Sequence, residues 1–205
     1  MFAEALIQSL RHIWLRLERL GIPAAIAGGL AMATWKYPRA TRDIDLLLSV
    51  DPDAQGALLQ SLRNAGLRPK RDPPVVTLGQ LDVIQLLYEP AEAYLDVQVD
   101  LLLAKSEYQR QALSRRVRAQ LPDLDIPVAV LACDDLILEK LAAGRMIDLA
   151  DASALLRLNE ENLDVGYLLH WAGRIKVLPE LKNVWGEAFP GVPLPQIEFP
   201  GKGTS

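Results

Sequence analysis

The chain has 205 residues, of which 50% are hydrophobic and 23% are charged, and its formal net charge is −4 at pH 7. This composition predicts one well-buried domain with a small helical annex, and it excludes a disordered chain and a protein that coats nucleic acid by bulk charge. One cysteine, Cys133, excludes a disulfide framework and a thiolate zinc cluster, and two distant histidines, His12 and His170, argue against a histidine metal site.

The N-terminal segment 1–21 has apolar residues at helical spacing with charges between them, which predicts an amphipathic helix and not a signal peptide. No stretch reaches the roughly 18 uninterrupted apolar residues of a membrane span, so we expect a cytoplasmic protein with no membrane partner. The segment AAIAGG at 24–29 predicts a short buried strand that ends in two glycines. LAMATWKY at 30–37 predicts the helix that follows, and Pro38 ends it.

Strands are predicted next from apolar runs of suitable length. DIDLLLSV at 43–50 predicts a buried strand because of its Ile and Leu content. A helix is predicted at 51–66, with Asp51 as its N-cap. Two further strands are predicted at 81–89 and 93–103, and the second alternates polar and apolar residues.

The last third of the chain changes in composition. The segment 105–121 begins as a helix and becomes basic, and IPVAVL at 126–131 predicts a short apolar strand. At 133–175, Leu, Ala, Glu and Lys predominate, which favours two or three consecutive helices. The prolines and glycines of 189–205 predict an extended or disordered tail.

Asp43 and Asp45 are the first candidates for chemistry, because residues two apart on a strand leave the same face with backbones roughly 7 Å apart. Two carboxylates in one half-buried site repel each other unless a cation lies between them, and Mg²⁺ prefers such oxygen ligands together with substrate phosphates. The strand at 93–103 offers a third acid, and its periodicity allows Asp96 and Asp100 alike. We prefer Asp100, because it lies against an apolar run as Asp45 does. Taken alone, the Asp-x-Asp pattern is also typical of an ordinary strand start.

The Gly28–Gly29 pair lies at a predicted strand-to-helix junction, fourteen positions before Asp43 when counted from the second glycine. Glycines at such a junction let a phosphate approach backbone N–H groups at the positive end of the helix. A plain tight turn is the alternative interpretation. Together with the acids and a downstream lysine, the pair favours a phosphoryl-transfer site.

A resemblance to a known family rests on three segments: AGGLAMATWKYPRATRDIDLLLSV, VQVDLLL and LILEKLAAGRMIDLADASALL. Together they resemble the nucleotidyltransferase superfamily that includes DNA polymerase β-like enzymes. Within it, they resemble the AbiEii/AbiGii-type bacterial toxins. The superfamily signature is a Gly-Gly or Gly-Ser turn, a helix, Asp-x-Asp on a strand, and a third acid on a later strand. The AbiEii-like branch adds a helical motif that this sequence matches at Lys140, Ala142, Ala143, Arg145, Asp148 and Asp151.

The resemblance implies an α/β nucleotidyltransferase fold, with a mixed, mostly antiparallel sheet flanked by helices and followed by a helical C-terminal half. The active site would lie in the groove between the two. The implied divisions are a catalytic core at 1–132, a helical subdomain at 133–188 and a tail at 189–205. The implied reaction is metal-dependent transfer of a nucleoside monophosphate from an NTP to an acceptor, with Mg²⁺ or Mn²⁺ as cofactor and pyrophosphate as leaving group.

Site roles follow from the resemblance residue by residue. Asp43, Asp45 and Asp100 would bind the metal ions, and Gly28 and Gly29 would cradle the triphosphate. The Gly-Gly turn lacks the hydroxyl that Gly-Ser members of the superfamily place near the terminal phosphate.

The helical motif would complete the site. Lys140 would reach the phosphates as a point charge, Arg145 would be a second phosphate ligand, and Asp148 would orient Lys140 or the acceptor. The alternative interpretation is a solvated helix lysine, with Asp148 and Asp151 as surface acids or as a helix cap.

The resemblance also implies a toxin of a toxin–antitoxin or phage-defence system, with a cognate antitoxin as partner and either RNA, such as a tRNA end, or a protein hydroxyl as acceptor. A small-molecule acceptor such as an aminoglycoside is the alternative, and it predicts an acidic pocket with Glu89, Glu92 and Asp96 as candidates. A third hypothesis is a catalytically silent protein that binds nucleotide or a partner protein. The sequence leaves the NTP, the acceptor and the oligomeric state open.

Overall fold

The computed structural model describes residues 2–78, 81–90 and 96–195. The chain divides into two compact units, Met1–Ala132 and Cys133–Ser205. The helices of the first unit are α1 (Phe2–Arg19), α2 (Gly28–Met32), α3 (Gln55–Asn64) and α4 (Glu107–Ser114). Its strands are β1 (Ala24–Ile26), β2 (Asp43–Leu48), β3 (Leu67–Pro69), β4 (Val75–Leu78), β5 (Leu81–Tyr88), β6 (Val97–Leu103), β7 (Val117–Ala119) and β8 (Val128–Val130).

These strands form one mixed sheet in the order β3-β5-β6-β2-β1-β8-β7, and β4 pairs with β5 as well. The β2–β6 and β1–β8 pairs are parallel. The other five pairs are antiparallel, which confirms the predicted mixed, mostly antiparallel sheet. Because β2 lies between β1 and β6, its apolar half is buried, whereas its leading end carries polar residues.

One face of the sheet is covered by helix. The predicted N-terminal helix is confirmed as α1, which contacts β2 and β6. Its apolar stripe includes Leu10, Ile13 and Leu17, each at most 1% exposed. Strand β6 alternates strictly between buried and half-buried residues. Its half-buried residues include Gln98 and Asp100, so the other face of the sheet is available for polar groups.

The helix predicted at 30–37 is wrong in its bounds. Helix α2 begins at Gly28, directly after β1, and a 3₁₀ turn at Ala33–Trp35 replaces its second half. Lys36 then adopts a left-handed conformation with φ +62°, which ends the helix before the proline can do so.

Three details after β2 also differ from the sequence predictions. The helix predicted at 51–66 begins as a 3₁₀ turn, Pro52–Ala54, and continues as α3. The side chain of Asp51 makes no capping hydrogen bond, because the Ala54 N–H donates to the Asp51 backbone carbonyl instead. Strands β3 and β4 were not predicted.

The second unit is helical, as predicted. Its helices are α5 (Cys133–Ala143), α6 (Met146–Leu158), α7 (Val165–Arg174) and α8 (Leu178–Ala188). Helix α6 packs against α5 and α8. Two buried acids in the first turn of α5 accept hydrogen bonds from the start of α7: Asp134 from the Asp164 N–H at 3.0 Å, and Asp135 from the Tyr167 hydroxyl at 2.6 Å. None of the described helices combines the length and apolar character needed to cross a membrane.

Candidate active site

Three carboxylates share one face of the sheet in the first unit. Strands β2 and β6 run parallel, and their register places Asp45 opposite Asp100. Asp43 lies two residues before Asp45 and therefore leaves the same face. All three are half-buried. The structure thus brings the predicted triad onto two adjacent strands, and we call this surface the carboxylate face.

Asp96, the other candidate for the third acid, lies elsewhere in the pairing scheme. It precedes β6, and its carboxylate is ion-paired with Arg68 of β3. The register therefore favours Asp100 over Asp96 as the neighbour of Asp45.

The environment of Asp100 combines opposing effects. Burial raises the pKa of Asp100, and the negative charge of Asp43 acts in the same direction. The Gln98 amide nitrogen Nε2 donates to Asp100 Oδ1 at 3.2 Å and to Oδ2 at 3.0 Å, and Gln85 Nε2 donates to Oδ1 at 3.4 Å. These hydrogen bonds lower the pKa but do not fully offset the other two effects.

The donor chemistry of the carboxylate face fits a hard divalent cation, since Mg²⁺ and Mn²⁺ prefer carboxylate oxygens. A cation would also relieve the repulsion between Asp43 and Asp100. Across the described ranges, however, no three His, Cys, Asp or Glu side chains form a ready-made metal cluster. Asp100 instead accepts hydrogen bonds from amides, so the face offers carboxylate oxygens that are not arranged as a complete coordination sphere.

The Gly28–Gly29 pair is needed for a reason that the sequence did not reveal. Gly28 has φ +55°, and a Cβ at this position would lie 1.8 Å from Asp45 Oδ2. A Cβ at Gly29 would lie 2.7 Å from Thr41 Cβ. The Ala27 N–H donates to the Asp45 carbonyl at 2.9 Å, which holds the start of α2 against β2. The absence of side chains thus makes room for Asp45 and Thr41.

The predicted helical motif forms a charged cluster in the second unit. Lys140 has only 7% of its side chain exposed, and its Nζ contacts Asp148 Oδ1 and Asp151 Oδ2, both at 2.9 Å. Arg145 precedes α6, is 74% exposed, and donates from Nε to Asp148 Oδ2 at 2.5 Å. The alternative of a solvated helix lysine with surface acids is therefore wrong.

Charge also controls the ionisation of this cluster. Burial alone would raise the pKa of Asp148, but the hydrogen bonds and positive charges of Arg145 and Lys140 outweigh it and lower the pKa. Directly before Lys140, burial and the negative charge of Asp135 raise the pKa of Glu139 to about 7.

The residues that extend the carboxylate face across β5 and β3 were not predicted from the sequence. Gln85 lies opposite Asp100 in the β5–β6 register. Lys70 directly follows β3, and its Nζ contacts Gln98 Oε1 at 2.5 Å. The alternation of β6 already placed Gln98 on the face of Asp100, but Lys70 could not be found because β3 was not predicted.

The predicted acidic acceptor pocket gains no support from the described residues. Asp96 is ion-paired with Arg68, and Glu89 is exposed just after β5. Glu92 lies outside the described residues.

Comparisons with known proteins point in one direction. The family described as the nucleotidyl transferase AbiEii toxin of type IV toxin–antitoxin systems matches residues 10–183. No protein with curated annotation matches the sequence.

Among the solved structures that match, two illustrate the shared fold. The antibiotic-resistance factor ANT(2'')-Ia is 15% identical, with a TM-score of 0.57 over 89% of this chain and 99% of that one. An antigenic nucleotidyltransferase-like protein from Paracoccidioides brasiliensis is 19% identical, with a TM-score of 0.52 over 92% of this chain and 98% of that one. At these identities the likeness shows the nucleotidyltransferase fold alone.

Proposed function

The chain belongs to the nucleotidyl transferase AbiEii toxin family, and on this premise we propose that it transfers a nucleoside monophosphate from an NTP to an acceptor with the help of divalent metal ions. The family match also confirms the resemblance inferred from the motifs. The observation that carries the proposal is the register of Asp45 with Asp100 on a face that also holds Asp43. Carboxylates in such an arrangement supply the ligands of two-metal phosphoryl transfer.

In this proposal the acids of the carboxylate face hold the metal ions and take up the proton of the acceptor. Asp43 and Asp45 would hold the ions, with Mg²⁺ as the expected cation, and bound ions would supply positive charge to neutralise the triphosphate. Asp100 would be the third metal ligand, and its carboxylate would also accept the proton of the attacking hydroxyl. The acceptor oxygen bonds to the α-phosphorus, the bond to the β-phosphate breaks, and pyrophosphate leaves.

The phosphate ligands are assigned from the family motif. The Gly28–Gly29 turn would cradle the triphosphate, as the resemblance implies. Arg145 is the better candidate for direct phosphate contact in the helical motif, because most of its side chain is exposed. Lys140 is nearly covered and held between two carboxylates, so it would act as a fixed positive charge that Asp148 orients.

We further propose that the protein is the toxin of a toxin–antitoxin pair, with a cognate antitoxin as its partner. The acceptor would be RNA, such as a tRNA end, or a protein hydroxyl. The family description supports the toxin assignment, while the acceptor rests on the resemblance.

The proposal is tested by incubating the full chain with Mg²⁺, each α-labelled NTP in turn, and three acceptor pools: total RNA, cell protein and an aminoglycoside. We expect label in RNA or protein, and loss of that label in Asp45→Ala because a metal ligand is gone. Asp53→Ala is the matched control, since Asp53 is an exposed acid away from the carboxylate face.

Other outcomes contradict specific parts of the proposal. Label only in the aminoglycoside would replace the RNA or protein acceptor with a small molecule. Transfer that survives Asp45→Ala would contradict its role as a metal ligand. An absence of transfer to every pool, together with no metal-dependent NTP binding, would leave the catalytically silent alternative.

A further inference from the structure

A chain of contacts leads from the edge of the carboxylate face to Asp100. Lys70 Nζ contacts Gln98 Oε1 at 2.5 Å, and Gln98 Nε2 reaches both oxygens of Asp100, at 3.2 and 3.0 Å. The Lys70 backbone is itself fixed, because its N–H donates to the Gln85 carbonyl at 2.9 Å. We call these three contacting residues, Lys70, Gln98 and Asp100, the amide relay.

The two neighbours of Gln98 determine which way its amide points. A lysine ammonium has only donors, and an ionised carboxylate has only acceptors. The amide oxygen must therefore face Lys70 and the amide nitrogen must face Asp100. In the reversed orientation, donor would meet donor at Lys70 and acceptor would meet acceptor at Asp100.

Asp100 needs such a partner because it is half-buried close to the negative charge of Asp43. Without hydrogen-bond donors, the Asp100 carboxylate would lower its free energy by turning away from the charge of Asp43 and toward solvent. Two hydrogen bonds from one amide, one to each oxygen, fix the plane of the carboxylate as well as its direction.

We propose that Gln98, oriented by Lys70, is a positioning residue that holds Asp100 beside Asp45 as a preorganised metal ligand. This inference rests on the proposed function, since it assumes that the carboxylate face binds divalent cations. Groups that hydrogen-bond to metal ligands typically change metal affinity or activity by about 10–100-fold when they are removed.

Removal of Lys70 separates this proposal from a simple charge effect, because the two predict opposite changes in cation affinity. If Lys70 acted only as a positive charge near the site, its removal would strengthen binding of a cation. If Lys70 acts through the amide relay, its removal lets the Gln98 amide rotate and weakens binding.

The experiment measures Mn²⁺ binding to the full chain, by electron paramagnetic resonance of the free ion and with no nucleotide present. We expect Gln98→Leu to weaken binding by about 10-fold and Lys70→Met to weaken it by a smaller factor. Lys70→Arg keeps a donor and restores part of the affinity. In the Gln98→Leu background, Lys70→Met should cause no further loss, because its effect passes through the amide.

Lys105→Met is the matched control. Lys105 is a half-exposed lysine next to the same sheet, but its Nζ is paired with Asp82 at 2.6 Å and not with the amide relay. We expect unchanged Mn²⁺ affinity for this variant. Thermal unfolding monitored by circular dichroism accompanies every variant. If Gln98→Leu is unfolded, Gln98→Asn takes its place, because the shorter side chain keeps the amide but is too short to make the same hydrogen bonds.

The outcomes distinguish this inference from the proposed function. Unchanged or tighter Mn²⁺ binding by folded Gln98→Leu, or tighter binding by Lys70→Met, would overturn the amide relay while leaving the metal site intact. A wild-type chain that binds no more Mn²⁺ than Asp45→Ala would contradict the metal site itself, and the relay with it.

Discussion

Asp45 depends on a neighbour that has no side chain. Its carboxylate occupies the space that a Cβ of Gly28 would fill, and the backbone of Gly28 lies in the left-handed region. Both features require glycine before any phosphate is considered. The identity of residue 28 and the position of a proposed metal ligand are therefore coupled.

We expect Gly28→Ala to lower nucleotide transfer about 100-fold, because displacement of a reacting or metal-binding group by about 1 Å can have this effect. The left-handed backbone adds a destabilisation of about 1 kcal/mol. Initial rates of label transfer and chemical unfolding curves measure the two effects separately.

Gly56→Ala is the control for this substitution. Gly56 lies in α3 with open space around it, so we expect full activity and a gain in stability of up to about 1 kcal/mol. A Gly28→Ala variant that transfers label as fast as the wild type would show that Asp45 does not need this space.

At the scale of secondary structure, a single lysine joins α5 to α6. Lys140 projects from α5 between two acids of α6, and all three side chains are at least 93% buried. Buried ion pairs of this kind add little compared with apolar packing, but removing one partner leaves uncompensated charge. The cluster is thus a structural feature of the second unit as well as a proposed part of the site.

We predict that Lys140→Met lowers the free energy of unfolding by about 3 kcal/mol, since Asp148 and Asp151 lose their shared cation. Urea denaturation at pH 7 measures this change. Lys182→Met is the control, because Lys182 is an exposed lysine on α8 and its removal should change stability little. A loss below about 1 kcal/mol for Lys140→Met, the range of exposed ion pairs, would contradict the structural role.

Secondary structure could be predicted where the hydrophobic period was strong. Helix α1 and strands β2, β5 and β6 were identified because each has a long apolar stripe or run. Strand β3 was missed because it is three residues long, contains Pro69 and takes its structure from pairing with β5. The bounds of α2 were wrong because the close contact of Gly28 with β2, and not local propensity, decides where that helix begins.

In the candidate site, contacts between different strands and helices could not be predicted from the sequence. A period of two placed Asp96 and Asp100 on one face, but only the pairing of β6 with β2 distinguishes them, and a single strand does not contain that register. The burial of Lys140 also depends on a second helix. The sequence could therefore predict which residues take part more readily than how they contact each other.

At the scale of the whole molecule, the proposed site residues are divided between two compact units. The carboxylate face and the amide relay belong to Met1–Ala132, and the Lys140 cluster belongs to Cys133–Ser205. Each unit has a core of its own, so the two sets of residues can be studied separately.

We predict that the fragment 1–132 folds, binds Mn²⁺ and does not transfer label, because it keeps the carboxylates and lacks Lys140 and Arg145. Circular dichroism, Mn²⁺ titration and the labelling assay measure these three properties, with the full chain as reference. Label transfer by the fragment would show that the helical motif is dispensable for the reaction.

The close approach of Asp45 to Gly28 also links these two positions during evolution. At position 28 a side chain is penalised twice, by the left-handed backbone and by contact with the Asp45 carboxylate. A descendant that no longer needs Asp45 would be released from the demand for space above Gly28, and substitution of Gly28 would then be penalised by the backbone alone. Among relatives, glycine at this position together with the aspartate would therefore mark lineages still under selection for the reaction, whereas larger residues there would accompany its loss.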